Sequence, residues 1–340
     1  MSKRYYVISI LSIIILLALI TIFYPTPTSF KKTDGHTHTV PSITIGAAID
    51  LINSLVWIAD NQQYFKQAGV NVELKPYPSG KVALNAFLNG EVDLATTAEA
   101  PFVFKSFEHE DLFLFSTLGS ADNEAKIIAR TDRGITKPED LKGKNVATQK
   151  ASAVHFFLSS FLTHHYITSD ELNISYMKGK ALPQALIDGE IDAFSMREPF
   201  LQQAKEGLPN KTIIFEAPGI YTKTFNLIGS QQFVNVDNHI VEAILQALIK
   251  AEMFVKQHPE QAIAIIAKLR ELPVNRVSND WDNFNFSISL NQALLTSLEE
   301  EARWAIQSNF ITATQSPNYL QRISFTALKK IRPTSISIIH

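Results

Sequence analysis

The chain has 340 residues, of which 46% are hydrophobic and 19% charged, so it is long enough for two lobes with apolar cores and does not belong to the disordered class. Its formal net charge of −2 gives no basic surface for nucleic acid, and we expect no nucleic-acid partner. It has no cysteine, which excludes disulfide bonds, a thiolate nucleophile, a zinc–thiolate site and a lipidated cysteine.

An apolar run near the beginning of the sequence predicts that the protein is exported. Two basic residues precede residues 5–24, which carry no charge and are long enough to span a bilayer as a helix. No A-x-A-like cleavage site follows, so we expect an uncleaved transmembrane anchor, with a cleaved signal peptide as the alternative. Residues 25–41 are rich in Pro and Thr and predict a polar linker.

From residue 42 onward, β-branched runs alternate with helical stripes. Strands are predicted at 42–48, 70–77, 92–97, 112–119, 126–130, 144–149, 172–177, 191–196 and 211–217. Helices are predicted at 54–69, 81–90, 152–166 and 181–189, and beyond residue 236 the chain becomes mainly helical, with helices at 239–257 and 259–271. This alternation predicts βαβ units and a mostly parallel sheet.

One phrase occurs twice in the sequence. Residues 89–102 read NGEVDLATTAEAPF, and residues 188–200 read DGEIDAFSMREPF. Each copy predicts a helix that ends at Gly, a strand, and a new helix that begins near Glu-Pro. Because ligands bind beyond the carboxyl ends of parallel strands, the two copies predict a cleft lined from both sides, although a common βα turn would also explain the repetition.

Four segments in order give the chain a resemblance to a known family. They are GAAIDLINSLVWIADNQQYFKQAGVNVEL, YPSGKVALNAFLNGEVDLATTAEAPF, DLKGKNVATQKASAVHFFL and ALPQALIDGEIDAFSMREPF, and they lie densely within residues 43–200. The chain resembles the substrate-binding proteins of ABC importers for aliphatic sulfonates, taurine or nitrate, within the thiamine-pyrimidine-synthesis-like superfamily. It departs from the family pattern at Ala151, where a Gly is usual, and at Met196-Arg197, where an aromatic residue is often found.

The resemblance implies an α/β protein with the type II periplasmic-binding fold, in which two α/β lobes enclose a ligand cleft. The first lobe would comprise residues 42–125 and 225–330, and the second residues 126–224. It also implies a set of ligand-binding residues in this cleft: Ile49, Asn53, Ser79, Gly80, Thr97, Ala98, Glu99, Ser152, His155, Met196, Glu198, Phe225 and Asn226. No cofactor, metal or catalytic residue is implied.

The resemblance also predicts the function and the partners. The protein would be the extracytoplasmic solute-binding component of an ABC importer, on the periplasmic face of the inner membrane, capturing a small organic solute for a permease and its ATPase. The alternative is a ligand-sensing ectodomain that acts through a membrane partner. We expect no enzyme: Ser152 and His155 lack an evident third catalytic member, and Glu99 with Glu198 lacks the substrate contacts of a glycosidase.

Glu99 and Glu198 end the two copies of the repeated phrase. Each carboxylate either caps its own helix or accepts hydrogen bonds from an amino group of the solute. Because a carboxylate in a closed cleft repels a purely anionic ligand, the second possibility predicts a solute with an amine or amide, such as taurine or an aminopyrimidine.

Overall fold

A computed structural model of the chain describes residues 42–339. The predicted anchor at 5–24 and the predicted linker at 25–41 therefore lie outside the described residues. Among the helices within 42–339, none is both long and apolar enough to cross a membrane.

The described residues form strands and helices in alternation up to about residue 229 and mainly helices afterwards. The strands are β1 Ser42–Ala48, β2 Asn71–Tyr77, β3 Leu94–Ala98, β4 Phe113–Ala121, β5 Lys126–Arg130, β6 Asn145–Thr148, β7 Asn173–Tyr176, β8 Ala193–Met196, β9 Thr212–Phe215, β10 Lys223–Gly229 and β11 Asn285–Ser289. The helices are α1 Ser54–Asn61, α2 Tyr64–Gln67, α3 Gly80–Leu88, α4 Glu99–Ser106, α5 Ala153–His164, α6 Leu182–Asp188, α7 Phe200–Gly207, α8 Gln231–Asn235, α9 Asn238–Gln257, α10 Pro259–Leu269, α11 Val274–Trp281, α12 Gln292–Gln307 and α13 Thr326–Ile331.

These strands form two separate sheets, each covered by helices. The first has the order β11-β4-β10-β3-β1-β2, and the second has the order β7-β6-β8-β5-β9. The sheets with their helices are called here the first and the second lobe. The chain passes from the first to the second between β4 and β5 and returns between β9 and β10.

Both sheets are mixed, so the prediction of a mostly parallel sheet was wrong. Strands β1, β2 and β3 are parallel, as are β6, β7 and β8. By contrast, β10 is antiparallel to β3 and β4, and β5 is antiparallel to β8 and β9. The antiparallel strands β5 and β10 are the ones that enter a sheet from the other lobe, a connection that sequence periodicity does not reveal.

Each lobe has an apolar core of its own. Ile45, Leu94 and Phe115 are buried between the first sheet and its helices. Ile128, Phe161 and Phe194 are buried in the second. The β-branched and aromatic runs that predicted the strands supply these buried faces, in keeping with strands covered by helices on their faces.

The repeated phrase has a structural counterpart. Gly90 and Gly189 both follow a helix with positive φ values of 74° and 77°, a conformation that glycine adopts without steric cost. In the first copy, Asp93 accepts a hydrogen bond of 2.7 Å from the backbone N–H of Thr44. In the second, Asp192 accepts one of 2.9 Å from the backbone N–H of Asn145. Each aspartate therefore fastens the start of its own strand to the adjacent parallel strand.

Two other predicted elements differ from the structure. The predicted helix 54–69 is interrupted, because Gln63 adopts a left-handed φ of 57° between α1 and α2. The mainly helical region after residue 236 contains β11, which pairs with β4. Its five residues are too short for their period-two pattern to be distinctive beside long helices.

Candidate functional site

A cavity of about 460 Å³ lies between the two lobes, a volume within the range of small-molecule sites. Asp50 and Leu51, which follow β1, line it from the first lobe, and Arg197 and Glu198, which follow β8, line it from the second. Glu124, in the first connection between the lobes, also lines it. The cavity is therefore bounded by both lobes and by a segment that joins them.

Arg197 joins the lobes across one side of this cavity. Its guanidinium lies 3.8 Å from the Asp50 carboxylate and 3.5 Å from that of Glu124. Burial opposes its charge, but these two carboxylates outweigh burial, and the pKa of Arg197 is raised. Lys223 of β10 forms a 2.5 Å ion pair with Glu124, so Glu124 pairs with two cations. The network ties the end of β8 to the first lobe.

Eight of the predicted site residues lie together in the first lobe. The pairing of β10 with β3 sets Phe225 opposite Ala98 and Asn226 opposite Thr97. The start of α3 packs against this pair of strands so closely that a Cβ atom on Gly80 would lie 2.8 Å from the Cα atom of Thr97. The structure thus brings together Asn53, Ser79, Gly80, Thr97, Ala98, Glu99, Phe225 and Asn226.

Some polar atoms of this first-lobe group are buried without a partner among the described residues. Asn53 donates to the backbone oxygen of Ala48 and to Thr96, but its Oδ1 atom has no hydrogen-bond partner among the described residues. Within the same range, the Oγ1 atom of Thr97 also lacks a partner. Buried polar atoms are usually satisfied, so these two atoms are available to a hydrogen-bonding group that the chain does not supply.

Glu99 and Glu301 form a buried acidic pair. Both side chains are 0% exposed, and Glu99 accepts hydrogen bonds from the backbone N–H of Thr224 at 2.8 Å and from its hydroxyl at 3.1 Å. Burial raises the pKa of Glu99 to about 7, against the opposing effects of Lys223 and Thr224. Burial, the charge of Glu99 and a hydrogen bond with its carboxyl raise the pKa of Glu301 well above its usual value. The two carboxyls therefore share a proton at neutral pH, because two buried like charges in contact are unfavourable.

Ser152 and His155 lie in the second lobe at the start of α5, where they contact other parts of the protein. The Ser152 hydroxyl donates to the backbone oxygen of Gln149 at 2.5 Å. His155 Nδ1 accepts from the backbone N–H of Ala151 at 3.3 Å. Ala151 adopts a left-handed φ of 53°, a conformation that glycine would adopt without steric cost. The backbone N–H of His155 donates to the backbone oxygen of Ser152 at 3.0 Å, and among the described residues no hydrogen bond joins the Ser152 hydroxyl to the His155 imidazole.

An aromatic cluster covers the His155 ring. The ring centroid lies 4.9 Å from that of Trp304 and 4.9 Å from that of Phe310, and 5.1 Å from that of Tyr176. Burial, and secondarily the charge of Lys150, lowers the pKa of His155 to about 4. The imidazole is therefore neutral at pH 7. Trp304 lies in the last turn of the long helix α12 of the first lobe, so this cluster is a second contact between the lobes.

The remaining predicted site residues, Glu198, Met196 and Ile49, lie apart from both groups. Glu198 lines the cavity, and its Oε2 atom accepts from the backbone N–H of Gln202 at 3.1 Å, as a residue that caps α7 would. Met196 is 2% exposed in the core of the second lobe. Ile49 is partly buried, and its backbone N–H donates to Tyr77. Of the thirteen predicted residues, only Glu198 lines the cavity.

Sequence reasoning missed residues that surround the site from the C-terminal half. Glu301, Trp304 and Arg276 lie in helices that matched no motif, and Arg270 directly follows such a helix. Nothing in their local spacing marks them. Arg197 interrupts the repeated phrase between its strand and Glu-Pro, which is a signal that could have identified it. Within residues 42–339 no group of three or more His, Cys, Asp or Glu side chains is arranged to hold a metal ion.

Comparisons with known proteins agree on one group. The family model described as NMT1/THI5 like matches residues 54–262. The putative aliphatic sulfonates-binding protein of Escherichia coli is 23% identical over 212 residues, which cover 61% of this chain and 65% of the relative. The taurine-binding periplasmic protein of Escherichia coli is 30% identical over 137 residues, 39% of this chain and 41% of the relative. The matches thus span less than two thirds of either relative.

A solved structure shows the fold. The crystal structure of the periplasmic aliphatic sulphonate binding protein SsuA from Escherichia coli matches with a TM-score of 0.71 and 19% sequence identity, covering 84% of this chain and 98% of that one. The predicted fold class, a periplasmic-binding fold with two α/β lobes and a cleft between them, is confirmed by this likeness.

Proposed function

The chain belongs to the NMT1/THI5-like family, and on that premise we propose that it is the solute-binding component of an ABC-type importer. It captures a small organic solute, a sulfonate, taurine or an aminopyrimidine-like compound, in the cleft between its lobes and presents it to a permease with its ATPase. It acts on the periplasmic or extracytoplasmic side of the membrane. It binds the solute without changing it.

One observation carries this proposal. The cavity of about 460 Å³ is lined by residues of both lobes and of a connection between them. A solute in it contacts both lobes at once, so binding stabilises the closed arrangement relative to an open one, and hinge closure follows from this differential contact. The names of the two Escherichia coli relatives, a sulfonates-binding and a taurine-binding protein, support the choice of solute class.

The proposal includes attachment to the membrane through residues 5–24. Its support is the sequence alone, since this uncharged run is long enough to span a bilayer and lacks a recognisable cleavage site. A mature protein whose N-terminal residue follows residue 24 would contradict the attachment and leave the solute-binding function untouched.

A ligand screen tests the function. The full-length protein is heated with a panel of aliphatic sulfonates, taurine, aminopyrimidines and nitrate, and a specific ligand raises the melting temperature because it binds only the folded state. The expected hit is an organic solute that also makes the particle more compact in small-angle scattering. Absence of any stabilising solute contradicts the function, whereas a hit that fails to stimulate the ATPase of a cognate permease favours a sensing role.

A further inference from the structure

A second cavity, of about 310 Å³, lies in the first lobe and shares no lining residue with the cavity between the lobes. It is lined by Thr117 and Ser120 of β4, by alternate residues of β11 with Asn291 beyond them, and by residues 334–337 near the end of the described chain. Its volume is at the lower end of the range for small-molecule sites. This cavity is called here the hydroxyl pocket.

Every residue that lines the hydroxyl pocket is a serine, a threonine or an asparagine. Strand β11 supplies Asn285, Ser287 and Ser289, because alternate residues of a strand point to the same face. Phe286 and Ile288, which lie between them, are buried in the core of the first lobe. Among the described residues, the lining of this pocket therefore contains neither a charged nor an apolar side chain.

The segment 334–337 repeats the alternation of β11. Ser335 and Ser337 line the pocket, whereas Ile336 between them packs against the core of the first lobe. Two backbone hydrogen bonds of 2.9 Å hold this segment to the residue after β11: Leu290 N–H donates to Ser335, and Ser337 N–H donates to Leu290. Across residues 42–339, the hydroxyl groups of Ser287, Ser335 and Ser337 make no hydrogen bond with the protein, so they are available to a ligand.

Thr117, only 3% exposed, begins a buried chain of hydrogen bonds that leads away from the pocket. Its hydroxyl donates to Asn226 Oδ1 at 2.9 Å. The amide of Asn226 donates to the Thr224 hydroxyl at 3.0 Å, and that hydroxyl donates to the Glu99 carboxyl at 3.1 Å. All three bonds point the same way, and bonds in such a chain strengthen one another. Because the Thr117 proton is used inward, Thr117 presents an acceptor to a ligand.

We propose that the hydroxyl pocket is a second binding site, which takes a small uncharged polyol. An oxyanion accepts hydrogen bonds only, so it is mismatched to Thr117 and finds no cation in the lining to neutralise it. A cation finds no carboxylate there, and an apolar ligand finds no apolar wall. A polyol hydroxyl both donates and accepts, so it matches Thr117 as well as the serine hydroxyls, which can do either. This site goes beyond the proposed solute-binding function and does not depend on it.

A polyol in the pocket would join two parts of the first lobe. It contacts the sheet through β4 and β11, and it contacts the segment 334–337, which is bridged to the sheet edge at Leu290 and Ile336. Because the pocket exists only when this segment lies against the sheet, a bound polyol stabilises that arrangement by mass action. The first lobe should therefore unfold at a higher temperature when the site is occupied.

Three probes test the assignment by calorimetry on the full-length protein. Xylitol and pentanol share a five-carbon chain and differ in their hydroxyl groups, and sulfate is an oxyanion of small size. We expect xylitol to saturate one site and to bind at least tenfold more tightly than either of the others. The double variant Ser287→Ala with Ser335→Ala should weaken xylitol tenfold or more. Thr117→Val should weaken it as well, whereas Thr117→Ser, which keeps the hydroxyl, should not.

The matched control is Thr296→Ala with Ser297→Ala, which removes two hydroxyl groups from α12 outside the pocket lining and should leave xylitol affinity unchanged. Polyols also stabilise proteins without binding, by exclusion from the surface. A stabilisation by xylitol that does not saturate, or that is the same in the double serine variant, therefore overturns the proposal. So does sulfate binding as tight as that of xylitol. Xylitol binding that is lost in Arg197→Met but kept in the double serine variant would place it between the lobes, which also overturns the proposal.

Discussion

The carboxyl groups of Glu99 and Glu301 face each other in the interior, although 202 positions separate them in the sequence, and both side chains are 0% exposed. Glu99 is the first residue of α4, and Glu301 lies in the middle of α12. A shared proton lets the two oxygens approach. Lys223 lowers the pKa of Glu99, Glu300 raises that of Glu301, and Glu301 in turn raises that of Tyr319. The pair therefore links a helix of the repeated phrase to the C-terminal half of the protein.

The acidic pair makes the folded protein less stable as the pH rises. The pKa of Glu99 is about 7 in the folded state and about 4.5 in the unfolded state, so the folded state holds more protons between these values. This contribution of Glu99 to the free energy of unfolding, about 3 kcal/mol, is fully present below pH 4.5 and is lost as the pH rises through 7. Glu301→Gln replaces the shared proton by an amide donor, so it should raise the melting temperature at pH 8.

This comparison is best made above pH 6.5, because His155 contributes with the opposite sign at lower pH. The folded-state pKa of His155 is about 4 instead of 6.5, so its contribution is lost as the pH falls from 6.5 towards 4. Glu299→Gln, at an exposed position of the same helix, is the control and should leave the pH profile between 6.5 and 8.5 as it is in the unmodified protein. An identical profile for Glu301→Gln would show that the pair does not share a proton.

Replacing His155 should destabilise the protein. His155→Ala removes an aromatic ring packed against Trp304, Phe310 and Tyr176, and we expect a loss of about 2 kcal/mol in the free energy of unfolding. Ser152→Ala removes a hydroxyl that donates to Gln149 at the same helix start and should cost about 1 kcal/mol. Urea unfolding measures both. A larger loss for Ser152→Ala than for His155→Ala would contradict the packing role.

Arg197 should control closure of the lobes. Arg197→Met leaves the carboxylates of Asp50 and Glu124 without their shared guanidinium and removes the ion pairs between the lobes. We expect solute affinity to fall by tenfold or more, with a larger radius of gyration in the presence of solute. Arg133→Met, which removes a 3.9 Å ion pair with Asp192 within the second lobe, should change neither quantity. Unchanged solute affinity in Arg197→Met would show that the ion pairs of Arg197 do not contribute to closure of the lobes.

Gly80 should not tolerate a side chain. A Cβ atom there would lie 2.8 Å from the Thr97 Cα atom and 2.8 Å from the Phe225 ring. Because backbone cannot yield as a side chain does, Gly80→Ala should cost about 2 kcal/mol of stability and disturb the first-lobe group. Lys81→Ala, at the next and exposed position of α3, should change the stability by less than about 0.5 kcal/mol. Thermal unfolding of the two variants, measured side by side, tests whether Gly80 and Thr97 lie too close for a side chain at residue 80.

Much of the order of strands and helices was predictable from the sequence. Local patterns located β1, β5 and α9 to within a residue, because the alternation of side chains along a strand and the 3.6-residue period of a helix are properties of near neighbours. The two Gly-Glu-apolar-Asp segments predicted matching strand starts, which Asp93 and Asp192 provide. The antiparallel pairing of β10 was not predictable in this way, since it depends on how the chain returns from the other lobe.

Some residues of the site could be assigned from the sequence, whereas the groups that surround them were decided by the tertiary structure. The family resemblance assigned Thr97, Ala98 and Glu99 to the end of one strand, where they lie together because they are neighbours in the chain. Whether Glu99 meets a solute, a helix end or a second carboxyl was decided by α12, which brings Glu301 against it. The cavity likewise takes Arg270, which follows α10, and Arg276 of α11 from segments without a motif. Local sequence fixes backbone propensity over a few residues, whereas the neighbours of a buried charge come from distant segments whose packing only the complete fold determines.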